Sequence, residues 1–270
     1  MREIKFEHRT FGERFKTMLL TDLRRMLKTP FLYIVLGICL VMPILILVMT
    51  TMMDGTVSVD PQTGVETVIH GPENAWQSIG TLPTEDGTAM GGMDVMAMCN
   101  INMMFMLVAV FICLFISEDF RSGYAKNLFT VSAKKGDYVV SKTVAGFVCG
   151  AIMLIAYFIG AMLGGAISGL SFDLCGLSVG NIAMCMIAKV FLMLVFVAID
   201  VIVSVAAKQK AWLCLCGSLG AGMLLFMMVS MITPLGSTMM NVILCLAGGA
   251  MFAFGLGAIS TKILGKTSLV

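Results

Sequence analysis

Charged side chains are scarce in this sequence. Only 13% of the 270 residues are Asp, Glu, Lys or Arg, about half of the roughly 25% found in soluble domains. Hydrophobic residues make up 59% of the chain, and the mean hydropathy is +0.97. The 16 acids and 18 bases are too few to cover the surface of a soluble protein. The composition therefore excludes a soluble enzyme, a coiled coil and a disordered chain, and it predicts a polytopic membrane protein.

Residues suited to metal binding or catalysis are also few. The two histidines are His8 and His70, and no pair of the nine cysteines has Cys-x-x-Cys spacing. A zinc site or a disulfide framework is therefore not expected. The 26 methionines are interpreted as packing residues, with a soft-metal pathway as the less favoured alternative. We expect no catalytic residues, no cofactor and no nucleic-acid partner.

The sequence is instead dominated by long runs of uncharged residues. A helix rises 1.5 Å per residue, so about 20 apolar residues cross the ~30 Å hydrocarbon core of a bilayer. The run over 211–261 holds 51 residues without a charge, and the turn-like residues 233–237 divide it in two. The sequence predicts an all-α membrane protein with six transmembrane helices at residues 31–53, 95–117, 143–170, 183–206, 211–232 and 240–261.

Basic residues are confined to one set of connections between these spans. Residues 1–29, 117–142, 208–210 and 262–266 hold 17 of the 18 Lys and Arg residues, whereas residues 54–94 hold seven acids and no base. By the positive-inside rule, both termini are predicted to be cytoplasmic and the protein to lie in the plasma membrane. In the outer loop 54–94, a turn sequence between two alternating segments predicts a β-hairpin over residues 56–69.

Residues 1–29 are predicted to form a cytoplasmic amphipathic elbow helix. Apolar residues recur at helical spacing before the first span, and Pro30 allows a bend into the membrane. The charged side chains are expected on the remaining surface, with the bases near lipid headgroups. They are Arg9, Glu13, Arg14, Asp22, Arg24, Arg25 and Lys28. A membrane anchor and an elbow that contacts a cytoplasmic partner are both open interpretations.

The cytoplasmic segment 117–142 is longer than a connector needs to be. It mixes charges of both signs with aromatic residues, which favours a docking surface over a solvated loop. The residues proposed for that surface are Glu118, Asp119, Arg121, Gly123, Tyr124, Lys126 and Asn127.

This chain resembles the permease subunits of type-2 ABC transporters. The resemblance is carried by an acid at Glu118 or Asp119, followed by Gly123, Lys126-Asn127, Ser132, Lys134-Lys135, Tyr138 and Ser141-Lys142. At sequence level it covers residues 115–146, and in topology it covers nearly the whole chain. It implies a permease without its own motor, driven by a separate ABC-type ATPase and paired with a second permease copy or a paralogue. Gly265-Lys266-Thr267 is no phosphate loop, because Ser260 stands where that motif needs its first glycine.

Lys189 and Asp200 are the charged residues within a predicted span. Ionisable groups are expensive in the membrane, so these two could line a translocation surface or bind other spans. Alternatively, each could extend to the nearer interface, which we expect for Lys189 in particular. Gly146, Gly150, Gly160 and Gly164 have the Gly-x-x-x-Gly spacing that permits close helix contact, and we expect it within the chain before a subunit interface.

Two functions therefore remain as expectations. The first is the membrane-spanning subunit of an ABC exporter. The second is an ATPase-independent membrane protein, either a secondary transporter or a binding or immunity protein, which would need ionisable pathway residues and broken helices.

Overall fold

The computed structural model describes residues 10–59, 66–68, 71–80, 100–131, 134–174, 176–208 and 210–266, and these ranges contain eight α-helices. The helices are α1 Phe11–Lys28, α2 Pro30–Met52, α3 Met103–Arg121, α4 Tyr124–Val131, α5 Lys135–Ile167, α6 Val179–Ala207, α7 Ala211–Ile232 and α8 Met239–Lys266. Between α2 and α3 lie strand β1 at Val57–Val59, strand β2 at Glu66–Val68 and a 3₁₀ turn at Ala75–Ser78.

The chain is an all-α membrane protein. Helices α2, α3, α5, α6 and α8 are each long and apolar enough to cross a bilayer. Helix α7 is 22 residues long and is apolar over Ala211–Phe226, so the predicted span at residues 211–232 stays a prediction. Helix α6 lies at the centre of the bundle, where it packs against α3, α5, α7 and α8, while α2 packs on α5.

The helix boundaries depart from the predicted spans at the second and third crossings. Helix α3 begins at Met103, after a turn, and residues 95–99 lie outside the described part of the chain. It continues to Arg121, and α5 begins at Lys135. Only residues 122–134 therefore separate the two helices, because polar residues on both sides continue the helical backbone instead of forming a loop.

The elbow between α1 and α2 follows from local chemistry. The Glu13 carboxylate accepts a hydrogen bond from the Thr10 N–H at 3.1 Å and so caps the start of α1. Thr29 is in extended conformation and ends the helix, and Pro30 begins α2 at a position where its missing N–H costs nothing. The amphipathic helix predicted for 1–29 is thus confirmed over Phe11–Lys28, and residues 1–9 lie outside the described part.

Ion pairs and hydrogen bonds define two ends of the bundle. At one end, called the α4 end, Arg14 Nε lies 2.9 Å from Asp137 Oδ2, and Lys135 Nζ donates to the Leu264 carbonyl at 2.6 Å. The first and last described helices therefore reach the same end. Which side of the membrane this end faces stays a prediction.

The opposite end, called the hairpin end, carries the strands and the 3₁₀ turn. Strands β1 and β2 pair antiparallel, with Val57 opposite Val68 and Val59 opposite Glu66. The predicted hairpin is confirmed in these strands, and its turn, residues 60–65, lies outside the described part. Asn74 Nδ2 donates to the Asp173 carbonyl at 2.6 Å, so the segment after the hairpin is tied to the connection that follows α5.

The four glycines predicted at helix contacts do lie at contacts within this chain. A Cβ atom at Gly146 would meet Ile112 and Val197, and one at Gly150 would meet Met193. The other pair faces the backbone of α2. A Cβ at Gly160 would collide with the Leu40 carbonyl oxygen, and one at Gly164 would lie 2.9 Å from the Ile44 Cα.

Gly160→Ala is therefore expected to destabilise the protein, because a methyl group there meets backbone that cannot move aside. We expect a loss of about 1–3 kcal/mol, measured as a fall in the unfolding midpoint in detergent. Gly248→Ala in α8 is the control, since a Cβ there has nothing within 4 Å. Equal midpoints for the two variants would contradict the close contact of α2 and α5.

Candidate functional site: a buried charge cluster beside α4

Four charged side chains meet inside the α4 end of the bundle. Asp22 and Arg25 come from α1, Asp119 from the last turns of α3, and Lys142 from α5. We call these four residues the charge cluster. The Asp22, Asp119 and Lys142 side chains are each no more than 1% exposed, and Arg25 is 31% exposed.

Lys142 is the centre of the charge cluster. Its Nζ lies 2.8 Å from Asp22 Oδ1 and 2.6 Å from Asp119 Oδ2. Arg25 Nη2 donates to the other Asp119 oxygen at 2.7 Å. Every carboxylate oxygen of the cluster has a close partner, because Ser141 Oγ also donates to Asp22 Oδ2 at 2.7 Å. One lysine thus joins α1, α3 and α5.

Aromatic rings enclose the cations of the charge cluster. The Arg25 guanidinium lies 3.9 Å from the centre of the Tyr124 ring, and Lys142 Nζ lies 4.1 Å from the centre of the Phe115 ring. Tyr138 donates from its hydroxyl to Asp119 Oδ2 at 3.1 Å. The ring faces attract the two cations and exclude water from them. Through Tyr124, the first residue of α4, that helix is attached to the same cluster.

The charge cluster is tolerated because its two positive and two negative charges balance. Taking an ion out of water costs several kcal/mol, which only close partners can repay. Burial by itself lowers the pKa of Arg25, and the neighbouring Asp119 carboxylate reverses this, so the pKa lies above its ordinary value. Burial and the nearby carboxylates raise the pKa of Tyr124. Both groups therefore keep their protons at neutral pH, and the cation–π contact persists.

The structure divides the predicted docking residues into two groups. Asp119 and Tyr124 point inward to the charge cluster. Glu118 and Arg121 form a surface ion pair of 2.8 Å, with side chains 52% and 74% exposed. The others lie on or just before α4: Lys126 and Asn127 are exposed. Gly123 has φ +75°, a conformation that permits the turn from α3 into α4.

The expectation that Asp22 and Arg25 lie on the solvent surface of α1 is wrong. Asp22 is 1% exposed and Arg25 is half-buried, since both pair with charges on α3 or α5. A signal was present in the spacing. Met18, Asp22 and Met26 follow one another at intervals of four residues, and both methionines are buried. An acid within an apolar helical stripe indicates a buried partner.

Lys189 does not extend to the interface, and that expectation is also wrong. It is fully buried, and its Nζ donates to Asn102 Oδ1 at 2.7 Å and to Thr233 Oγ1 at 3.0 Å. Asn102 is 1% exposed and donates in turn to Ser230 Oγ at 2.9 Å. These contacts keep the ammonium inside because oxygen acceptors from neighbouring segments take the place of water. Lys189 thus joins the start of α3 to the end of α7. This agrees with the predicted alternative in which Lys189 binds other spans.

Asp200 is 2% exposed within α6, and its Oδ2 has no hydrogen-bond partner among the described residues. A group of small polar side chains lies one turn further along the bundle. Ser204 Oγ lies 2.9 Å from Cys214 Sγ, and Cys113 Sγ donates to Ser218 Oγ at 3.1 Å. These contacts join α3, α6 and α7 in the half of the bundle nearer the α4 end.

Comparison with known proteins found no family model, no curated protein and no solved structure that matches this chain. The helices alone define the class of protein, an all-α membrane protein. Because no known protein matches, any assignment of activity rests on the site itself.

Lys142→Met is expected to destabilise the protein by about 3–5 kcal/mol, because it leaves two buried carboxylates with one cation between them. Thermal unfolding of the purified chain in detergent measures this. Lys126→Met removes the same charge from an exposed position of α4 and is expected to change stability by less than about 0.5 kcal/mol. Equal unfolding midpoints for Lys142→Met and Lys126→Met would contradict the conclusion that the charge cluster holds α1, α3 and α5 together.

Asn102→Leu is expected to cost about 1–3 kcal/mol, since it removes an acceptor from the buried Lys189 ammonium. The double variant Asn102→Leu/Lys189→Met then recovers part of the loss, because no buried charge is left without a partner. A double-mutant cycle of unfolding midpoints tests this. Additive effects of the two substitutions would contradict a direct interaction.

Proposed function

We propose that this chain is the membrane-spanning permease subunit of an ATP-driven exporter, and that a separate ABC-type ATPase docks on α4 and its flanking turns. The observation that carries the proposal is the attachment of α4. This eight-residue helix has one side packed on the bundle and the other exposed, and the charge cluster connects it to α1, α3 and α5.

The inner side of α4 is held by buried contacts. Ala125 is fully buried, the Phe129 and Tyr138 rings lie 5.4 Å apart edge to face, and Tyr124 lies under Arg25. The outer side presents Lys126 and Asn127. A short helix with a rigidly packed inner face and a polar outer face can bind a partner protein and transmit that partner's movement to the bundle.

The charge cluster can transmit a movement of α4 to the neighbouring helices. A displacement of α4 moves the Tyr124 ring, and with it the Arg25 guanidinium that pairs with Asp119. Separating a buried ion pair is costly, because little water is present to replace the lost partner. Movement at α4 therefore reorients α1, α3 and α5 together, which is what alternating access requires.

The remaining parts of the proposal concern location and assembly. The bases at the α4 end would place that end in the cytoplasm and the chain in the plasma membrane. Two copies, or one copy and a paralogue, would enclose the pathway between them. Helix α8 exposes Met251 at 75% and Phe254 at 82%, an apolar surface suited to lipid or to such a second subunit.

Buried Lys189 and Asp200 are the observation that favours the second candidate, an ATPase-independent transporter, because such proteins carry ionisable groups within their spans. Lys189 has acceptors on the segments that bracket it, which suits a structural role. We therefore place this candidate second and treat it as an outcome of the experiment below.

The test is recovery of a P-loop ATPase with the tagged chain, purified from its host membranes in mild detergent and identified by labelling with a photoreactive ATP analogue. Lys126→Glu and Glu118→Lys reverse exposed charges on and before α4. Each is expected to reduce the ATPase recovered by about tenfold.

Lys262→Glu is the matched control, since it makes the same charge change at an exposed position of α8 near the same end. Asp119 is unsuited to this test because its loss would break the charge cluster itself. Absence of any ATPase with the wild-type chain, or equal loss with the control, would overturn the proposal and favour an ATPase-independent protein.

A further inference from the structure

A cavity of about 550 Å³ lies in the angle between α1 and α2. One wall is the elbow, with Lys28 and Phe31. The opposite wall is the last part of α3, with Phe111, Glu118 and Arg121. Helix α4 contributes nothing to this lining, and the cavity shares only Glu118 and Arg121, at the end of α3, with the surface proposed for the ATPase. Its volume falls within the range of sites for small organic ligands.

The depth of the cavity matches one leaflet of a bilayer. The Phe31 ring stacks on the Phe111 ring at 5.9 Å, and Phe111 stacks on Phe115 at 6.1 Å, both nearly parallel. Phe111 lies ten residues before Arg121 on the same helix, about 15 Å along its axis. Half of the ~30 Å hydrocarbon core has the same length. The row of three rings therefore offers an apolar wall at acyl-chain depth.

The charge of the cavity is positive and not fully compensated. Arg25 is paired with Asp119 at 2.7 Å and Arg121 with Glu118 at 2.8 Å. Lys28 lines the same cavity and makes no ion pair within the described ranges. One positive charge is thus left facing a space whose inner wall is aromatic. A phosphodiester bears one negative charge, and a lipid carries an acyl chain with it.

We propose that this cavity binds an anionic glycerophospholipid, with the phosphate at Lys28 and an acyl chain along the Phe31–Phe111–Phe115 row. A zwitterionic lipid fits less well, because its ammonium would cancel the attraction to Lys28. The bound lipid fills the angle between α1 and α2 and thereby fixes the orientation of the elbow helix. Basic recesses between membrane helices are suited to anionic headgroups for this reason.

The experiment is a titration of the purified full chain with phosphatidylglycerol, followed by native mass spectrometry of bound lipid and by thermal unfolding. Phosphatidylcholine and glycerol phosphate are the comparison ligands. We expect phosphatidylglycerol at saturation to raise the unfolding midpoint by about 5 °C, and the other two to raise it by much less. This test needs no ATPase, so its failure is distinguishable from failure of the proposed function.

Lys28→Gln is expected to weaken phosphatidylglycerol binding by about fivefold, since one basic residue near the headgroup is removed. Lys126→Gln removes a base from α4, outside the cavity, and is expected to bind like wild type. Leu114→Trp fills part of the cavity without changing its charge and is expected to reduce lipid binding as well, which gives a second variant if Lys28→Gln folds poorly.

Equal stabilisation by phosphatidylglycerol and phosphatidylcholine would overturn the anionic assignment. An equal effect of glycerol phosphate alone would identify a free-phosphate site and overturn the lipid assignment. Wild-type affinity in both Lys28→Gln and Leu114→Trp would remove the cavity as the place of binding.

Discussion

Taking a charged side chain out of water is costly, and close partners of opposite charge offset that cost. At the α4 end this requirement brings Asp22, Arg25, Asp119 and Lys142 together. The position of α1 depends on it, because two members of the charge cluster lie on that helix. The elbow, the cavity beneath it and the attachment of α4 all depend on α1 in turn. A balance of four charges thus sets the geometry of one whole end of the molecule.

Most of the fold follows from constraints that can be counted along the chain. A bilayer demands about 20 apolar residues per helix, so five of the six predicted spans and the elbow helix were predictable from hydropathy and from the spacing of residues 11–27. The hairpin at Val57–Val68 follows from alternation around a turn. The ends of α3 and α5 were not predictable, because polar residues near a membrane surface either continue a helix or leave it. Arg121 and Lys135 continue it, with partners supplied by Glu118 and by the end of α8.

The candidate site was predictable only in part. The stretch from Glu118 to Asn127 was recognised from its mixture of charges and rings, but which of these residues point inward was not. Asp119 and Lys142 are buried by a helix more than 90 residues away in the sequence, and periodicity within one segment does not reveal such partners. The same holds for Lys189 and Asn102, 87 positions apart. Tertiary contacts determine which polar groups are buried, whereas a hydropathy profile describes each segment separately and does not contain those contacts.

The balance within the charge cluster has a consequence for how this protein can change through evolution. Loss of a single member is costly while the other three remain, since the remainder carries a net charge that is mostly buried. Change at positions 22, 25, 119 and 142 must therefore proceed through neutral sets, such as loss of one acid together with one base. In related sequences these four positions are expected to vary together. The exposed face of α4 is under no requirement for charge balance, so it is free to diverge along with the partner that binds it.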